Sequence, residues 1–187
     1  MENLNIHACR DARPYSTKEY FGRFLWGIFS PLFFFTPRRC FKWRAQLLRI
    51  FGAKIGKNVH IYPSAKIYIP WNLVMGDDSS IGEWALIYNL GHVSIGSQAT
   101  ISHRAHLCAG THDYSDPNLP LVRSTIHVGS QAWICADAFI GPGVSIGRGA
   151  IVGGASVVKR DIDDWQIVSG NPAIYIKTRH LDFFSEG

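Results

Sequence analysis

Residues 110–118 read GTHDYSDPN, and His112 within that stretch has the side chain best suited to chemistry. A neutral imidazole accepts a proton near neutral pH, which is what a general base must do when a hydroxyl attacks an acyl group. Asp113 follows directly and would orient the ring, contact an acceptor or simply solvate a loop. His103 and His106, together with His112, raise a second chemistry, a zinc ion held by imidazoles. A lone histidine is equally well explained as a solvated corner residue, so its setting has to decide. Cys9, Cys40, Cys108 and Cys135 show no CxxC or zinc-like spacing. They are expected as reduced thiols of a cytoplasmic protein.

The setting is a repeat. From Val128 the chain divides every six residues into VGSQAW, ICADAF, IGPGVS, IGRGAI and VGGASV. Each block opens on an aliphatic residue and carries a small or β-branched residue in its fifth place. Upstream the register restarts at Ile55, Met75 and Ile95, with Leu73-Val74 and Val93-Ser94 as two-residue inserts. This period excludes an amphipathic helix and fits a short strand plus a tight corner per block. Three blocks would close a coil, and stacked coils would bury one aliphatic column. Histidines six apart then fall on successive faces, so His106 and His112 should not converge on a metal, and none is expected. His92 closes the second coil as His112 closes the third, which would stack them about 4.8 Å apart.

The first third differs. Residues 1–57 hold 11 Lys/Arg against 3 Asp/Glu, whereas the remainder holds 8 against 11. FLWGIFSPLFFF (residues 24–35) is too short to span a bilayer. Thr36-Pro37 looks like a helix start and Gly52 like its stop, with Phe41, Leu47, Leu48 and Phe51 on one face. Two readings follow: a helical cap on the main domain, or a basic aromatic surface touching anionic membrane. No nucleic-acid motif accompanies the basic residues.

The repeat resembles the hexapeptide-repeat acyltransferases. LLRIFGAKIGKNVHIYPSAKI, the PW pair at 70–71, GTHDYSDPN and SGNPAIYI resemble the colanic-acid-type exopolysaccharide acetyltransferases of the maltose/galactoside O-acetyltransferase group. The resemblance implies an all-β chain, a left-handed parallel β-helix of about five coils. A helical cap would occupy residues 1–54, the β-helix 55–160 with an excursion loop at 113–127, and a tail 161–187. It further implies a homotrimer with active sites between subunits, in the cytoplasm or at the inner face of the membrane. The activity would be acetyl-CoA-dependent O-acetylation of a saccharide, free or lipid-linked, with His112 as base and no acyl-enzyme. Asn89, with Tyr88 as its alternative, would contact the acceptor. Trp133, Ala136, Gly154, Lys159, Arg160 and Lys177 would hold coenzyme A. Ile174 departs from the basic residue usual there, and Lys177 and Arg179 would compensate. N-acetylation of an amino sugar, a metal-dependent hydratase like the γ-type carbonic anhydrases and a non-catalytic scaffold are the alternatives.

Overall fold

A computed structural model of the chain describes residues 4–181. From Lys54 onward, strands of two or three residues stack in parallel on three walls. The first wall comprises Lys54–Ile55, Leu73–Met75, Val93–Ile95, Ile126–Val128 and Ser145–Ile146. The second comprises His60–Ile61, Ser80–Ile81, Thr100–Ile101, Trp133–Ile134 and Ile151–Val152. Lys66–Ile67, Leu86–Tyr88, His106–Cys108, Phe139–Ile140 and Val157–Val158 form the third. The chain is thus mostly β, and from Lys54 onward it is a left-handed parallel β-helix with five complete coils.

The hexapeptide period produces this because each wall admits one inward side chain per pass. On the second wall Ile61, Ile81, Ile101, Ile134 and Val152 form a ladder, each 0% exposed. Each such side chain contributes about 1.5–3 kcal/mol by leaving water. The glycine that often follows has a steric cause: a Cβ on Gly96 would lie 2.4 Å from the Ser130 nitrogen of the next coil. Corners turn instead on left-handed residues such as Asn58, Asp78, Gln98 and Gln131, with φ of 50°, 58°, 59° and 63°. Their side chains pair coil to coil, Asn58 Nδ2 donating to Asp78 Oδ1 at 2.7 Å.

The apparent inserts Leu73-Val74 and Val93-Ser94 lengthen strands of the first wall. They add a second inward row, in which Leu73 pairs with Val93 and Val93 with Ile126. At the other end, the segment expected as a tail begins a sixth coil. Ile162 bridges to Ile146, and Gln166–Gly170 extends the second wall, burying Val168 in the core beside Val152. Ala173–Thr178 then folds back antiparallel on it.

Four helices precede the coils: α1 (Ile6–Asp11), α2 (Thr17–Phe29), α3 (Pro31–Phe34) and α4 (Phe41–Ile50). The expected start of α4 at Thr36-Pro37 shifts to Phe41, because those two residues form a socket for Arg44. Arg44 is fully buried and donates to the carbonyls of Ile61, Pro37 and Arg38 and to the Thr36 hydroxyl. Leu47 and Leu48 are buried against the first coil, and Gly52, at φ +88°, ends the helix. Trp26 on α2 donates its Nε1 to the Ile67 carbonyl at 2.9 Å. Together α2 and α4 close the open end of the column.

Candidate functional site

The third coil does not close directly. The chain leaves the ladder after Ala109 and runs out and back as an antiparallel hairpin, Gly110–His112 with Leu121–Arg123. It rejoins the first wall at Ile126. The excursion thus starts before residue 113, and Ile126 and His127 already belong to the ladder. The Ala109 carbonyl accepts from Gly91 N at 3.0 Å and from Ser124 N at 3.1 Å, which joins the coil across the root of the hairpin. Gly91 permits this crossing, since a Cβ there would lie 2.3 Å from the Ser124 carbonyl oxygen. His112 consequently does not stack on His92. It pairs with Leu121 on the hairpin, and the His92 carbonyl accepts from Ile126 N at 2.9 Å.

His112 is held from one side. Its Nδ1 lies 2.6 Å from the Leu119 carbonyl oxygen. A carbonyl can only accept, so Nδ1 carries the proton and the neutral ring has its lone pair on Nε2. Leu119 has a φ of +47°, and its own nitrogen donates to the Asp116 carbonyl at 2.9 Å. The loop braces that turn with its polar side chains. Asp113 Oδ1 accepts from the Ser115 nitrogen and hydroxyl, and Asp116 Oδ1 from the Asn118 nitrogen. Asp113 therefore shapes its own loop, and Leu119 is what orients the imidazole. The Ser115 hydrogen bonds hold the Asp113 carboxyl below its ordinary range.

A pocket of about 180 Å³ lies beside the ring, lined by Tyr88, Leu90, His112, Leu119 and Leu121 and by Cys9, Ala12, Pro14 and Tyr15. Burial pushes the Tyr88 phenol above its ordinary range, with Arg23 pulling the other way. Asn89, by contrast, is 0% exposed. Its Oδ1 accepts from Ile69 N at 2.9 Å and its Nδ2 donates to Ile69 O at 2.6 Å, so it staples the first coil to the second instead of facing an acceptor.

The N-terminal share of this pocket was not visible in the sequence. Asn5 N donates to the Pro117 carbonyl at 2.8 Å, and the Cys9 thiol points to the Leu119 carbonyl at 3.6 Å. Arg123 Nη1 meets Glu19 Oε1 at 2.7 Å, while its Nη2 donates to the Pro14 carbonyl. These partners stand more than a hundred residues apart in the chain. No local pattern announces such pairings.

The residues expected around a donor lie elsewhere on the prism. Trp133 is half exposed on the second wall, its Nε1 donating to Ser102 Oγ at 2.8 Å. Register carries its outward row through Ile151 and Ile167 to Lys177. Ala136 and Gly154 adjoin at the corner between the second and third walls, where the Ala136 carbonyl accepts from Ala155 N at 2.9 Å. Lys159 and Arg160 are exposed at the corner leading from the third wall to the first, the same corner from which the hairpin springs. Arg179 is engaged structurally, donating to the Gln131 and Gly149 carbonyls at 3.0 and 2.9 Å. Ile174 is 63% exposed.

His106 sits on the third wall between the Tyr88 and Phe139 rings, and burial lowers its pKa. Among the described residues no group of three or more His, Cys, Asp or Glu is placed to hold a metal ion.

No protein-family model matches the chain. It is 40% identical over 154 residues to the putative colanic acid biosynthesis acetyltransferase WcaF of Escherichia coli K12, covering 82% of this chain and 85% of that one. Two solved structures share the architecture at lower identity. A galactoside acetyltransferase in complex with coenzyme A aligns with a TM-score of 0.81 at 21% identity, over 94% of this chain and 92% of that one. The hexapeptide-repeat acetyltransferase VCA0836 of Vibrio cholerae, complexed with acetyl coenzyme A, gives 0.81 at 19% identity, over 89% and 91%.

Proposed function

Because the chain belongs to the hexapeptide-repeat acetyltransferases, of the colanic-acid biosynthesis type, we propose that His112 is the base that passes an acetyl group from acetyl-CoA to a saccharide hydroxyl. The observation that carries this reading is the 2.6 Å contact between His112 Nδ1 and the Leu119 carbonyl, which leaves Nε2 as the basic atom. Nε2 takes the hydroxyl proton as the oxygen bonds to the acetyl carbon. The thioester C–S bond breaks, and the proton is returned to the departing thiolate. Backbone N–H groups would stabilise the charge on the carbonyl oxygen. An amino-sugar nitrogen would be served by the same base.

Acetyl-CoA is the co-substrate. Trp133 and Lys177 on one outward row, with Ala136 and Gly154 at the next corner, would cradle its pantetheine arm, and Lys159 and Arg160 would meet its phosphates. Trp133 stands on a different wall from the hairpin. The 180 Å³ pocket is also smaller than the roughly 300–1,000 Å³ usual for ligand clefts. Both features support a site completed between copies, one copy's donor wall facing the next copy's His112, as in the homotrimer that the resemblance implies. Acetyl-CoA consumption across a panel of sugars, amino sugars and nucleotide sugars tests the reaction. His112→Ala should lower turnover by about two to four orders of magnitude, and near-wild-type turnover by the folded variant would exclude the base. Co-assembling His112→Ala with Trp133→Ala chains should restore activity that neither has alone. Absence of rescue would argue for a site within one copy.

The acceptor is met at a membrane surface. Phe21, Phe24, Ile28, Leu32 and Phe35 recur at one-face spacing along α2 and α3 and are 62%, 65%, 54%, 49% and 88% exposed. Lys18, Arg39 and Lys42 flank them, and Glu19 is the one acidic residue between positions 12 and 76. An exposed apolar stripe in a segment rich in basic residues suits an anionic bilayer and a lipid-linked saccharide. Among the described residues no helix is long and apolar enough to cross a membrane. Flotation with anionic vesicles, lost on Phe21→Ser/Phe24→Ser/Ile28→Ser, would support the contact. No flotation of the wild-type chain would end it.

A further inference from the structure

Tyr15, in the link between α1 and α2, forms part of the His112 pocket, and two guanidinium groups lie against its ring. Arg23 is 4.2 Å and Arg123 is 4.4 Å from the ring centroid. The two are not equivalent. Arg123 is engaged, with Glu19 on one nitrogen and the Pro14 carbonyl on another. Arg23 forms no ion pair among the described residues, and its Nη1 is buried without a hydrogen-bond partner among them. The other such buried atom, His106 Nε2, is on a ring that can shed its charge. A guanidinium cannot, since arginine keeps its proton in proteins.

The cluster of Arg23, Arg123 and Glu19 therefore carries one uncompensated positive charge beside the pocket. Tyr88, which also lines the pocket, is raised by burial and pulled the other way by the same cation. A buried donor without an acceptor is destabilising, so an acceptor that arrives at such a group is bound with a gain. Arginine presents a planar fork matched to phosphate and carboxylate oxygens, whereas a neutral hydroxyl would leave its charge unanswered. We infer that Arg23 is the anion-binding group of the acceptor subsite: the saccharide that reaches His112 carries a phosphate or a carboxylate, docked on Arg23 beside Tyr15. This inference rests on the acetyl-transfer reading and adds the acceptor's chemical class. It also gives α2 a second task, since the helix that carries the exposed apolar stripe sets Arg23 against Tyr15, a residue of the pocket lining.

Binding and turnover separate the two claims. Calorimetry would use protein saturated with coenzyme A, so that the donor's phosphate sites are filled. The probes are glucose, galactose and mannose, each as methyl glycoside, 1-phosphate and uronate. At least one anionic form should bind roughly 10–100-fold more tightly than its methyl glycoside, the scale of a charge-assisted contact. Arg23→Gln should abolish that ratio, Arg23→Lys should keep part of it, and His112→Ala should keep it whole while losing turnover. Preference for the 1-phosphates identifies a phosphate-linked acceptor, and preference for the uronates an acidic sugar. If no anionic form gains over its neutral partner, or if the gain survives in a folded Arg23→Gln, the inference is wrong. If the gain is Arg23-dependent but wild-type protein consumes no acetyl-CoA, the anion site stands and the transfer reading fails instead.

Discussion

Replacing Asn89 by alanine distinguishes an acceptor contact from a staple. In the structure its amide answers both polar groups of Ile69, at 2.9 and 2.6 Å. Ile69 is itself 0% exposed, so neither group would gain water when the amide is removed. Each buried group left without a partner costs about 1–3 kcal/mol, which puts the loss at about 2–6 kcal/mol. For a domain of this size, about 2–4 °C of melting temperature follows each kcal/mol, so the drop should be on the order of 10 °C. Thermal unfolding by circular dichroism would measure it. Initial rates with varied acceptor, taken well below the transition, should give a KM near that of wild type. Asn89→Asp sharpens the test. It keeps an acceptor for the Ile69 N–H but faces a carboxylate toward the Ile69 carbonyl, and burial would raise its pKa. A carboxyl whose folded pKa is raised contributes stability below the unfolded value, about pH 4, and loses it as pH rises through the folded value. The gap to wild type should therefore be smallest near pH 4 and widest at neutral pH. An unchanged melting temperature combined with a raised acceptor KM would refute the staple.

Gly91→Ala should misplace the hairpin, because its Cβ would meet the Ser124 carbonyl backbone at 2.3 Å. A shift of about 1 Å at the root should lower kcat by about a hundredfold while coenzyme A binding, read by calorimetry, stays as it was. Trp133→Ala removes a half-exposed ring from the second wall and should weaken coenzyme A binding roughly tenfold, with little change in melting temperature. Arg44→Ala leaves the Ile61, Pro37 and Arg38 carbonyls without their donor. It should lower stability by about 3 kcal/mol, seen as a shifted denaturation midpoint at unchanged slope.

How much of this could be read in advance depends on the range of the interaction. The inward ladder is legible because it repeats: one aliphatic per six residues suffices for a wall, and Ile81, Ile101 and Ile134 stack as the period requires. His112 is legible as an interruption of that repeat. The roles of its neighbours are not, since adjacency in sequence places Asp113 beside the imidazole while a left-handed turn at Leu119 brings the carbonyl that holds it. Asn89 illustrates the same limit. A resemblance carries over the residue type but not the direction of the side chain, and here it points into the corner. The clasp of Asn5, Pro14 and Glu19 on the hairpin had no local signal at all.

The shifts in register did hold information. Both apparent inserts fall where the third wall turns to the first, and Leu90, at that turn in the second coil, lines the pocket floor. The hairpin leaves from the same turn one coil later, and the N-terminal segment closes over it. A strict repeat would bring each coil back to the first wall without a floor, a hairpin or a place for Tyr15 and Arg23. The hairpin that carries His112 and the N-terminal segment that carries Tyr15 and Arg23 both depart from the six-residue rule, whereas Trp133, Ala136 and Gly154, proposed for the donor, lie in blocks that obey it. A thioester arm of fixed chemistry can be met by a regular wall. An acceptor of particular charge and shape needs the irregular corner.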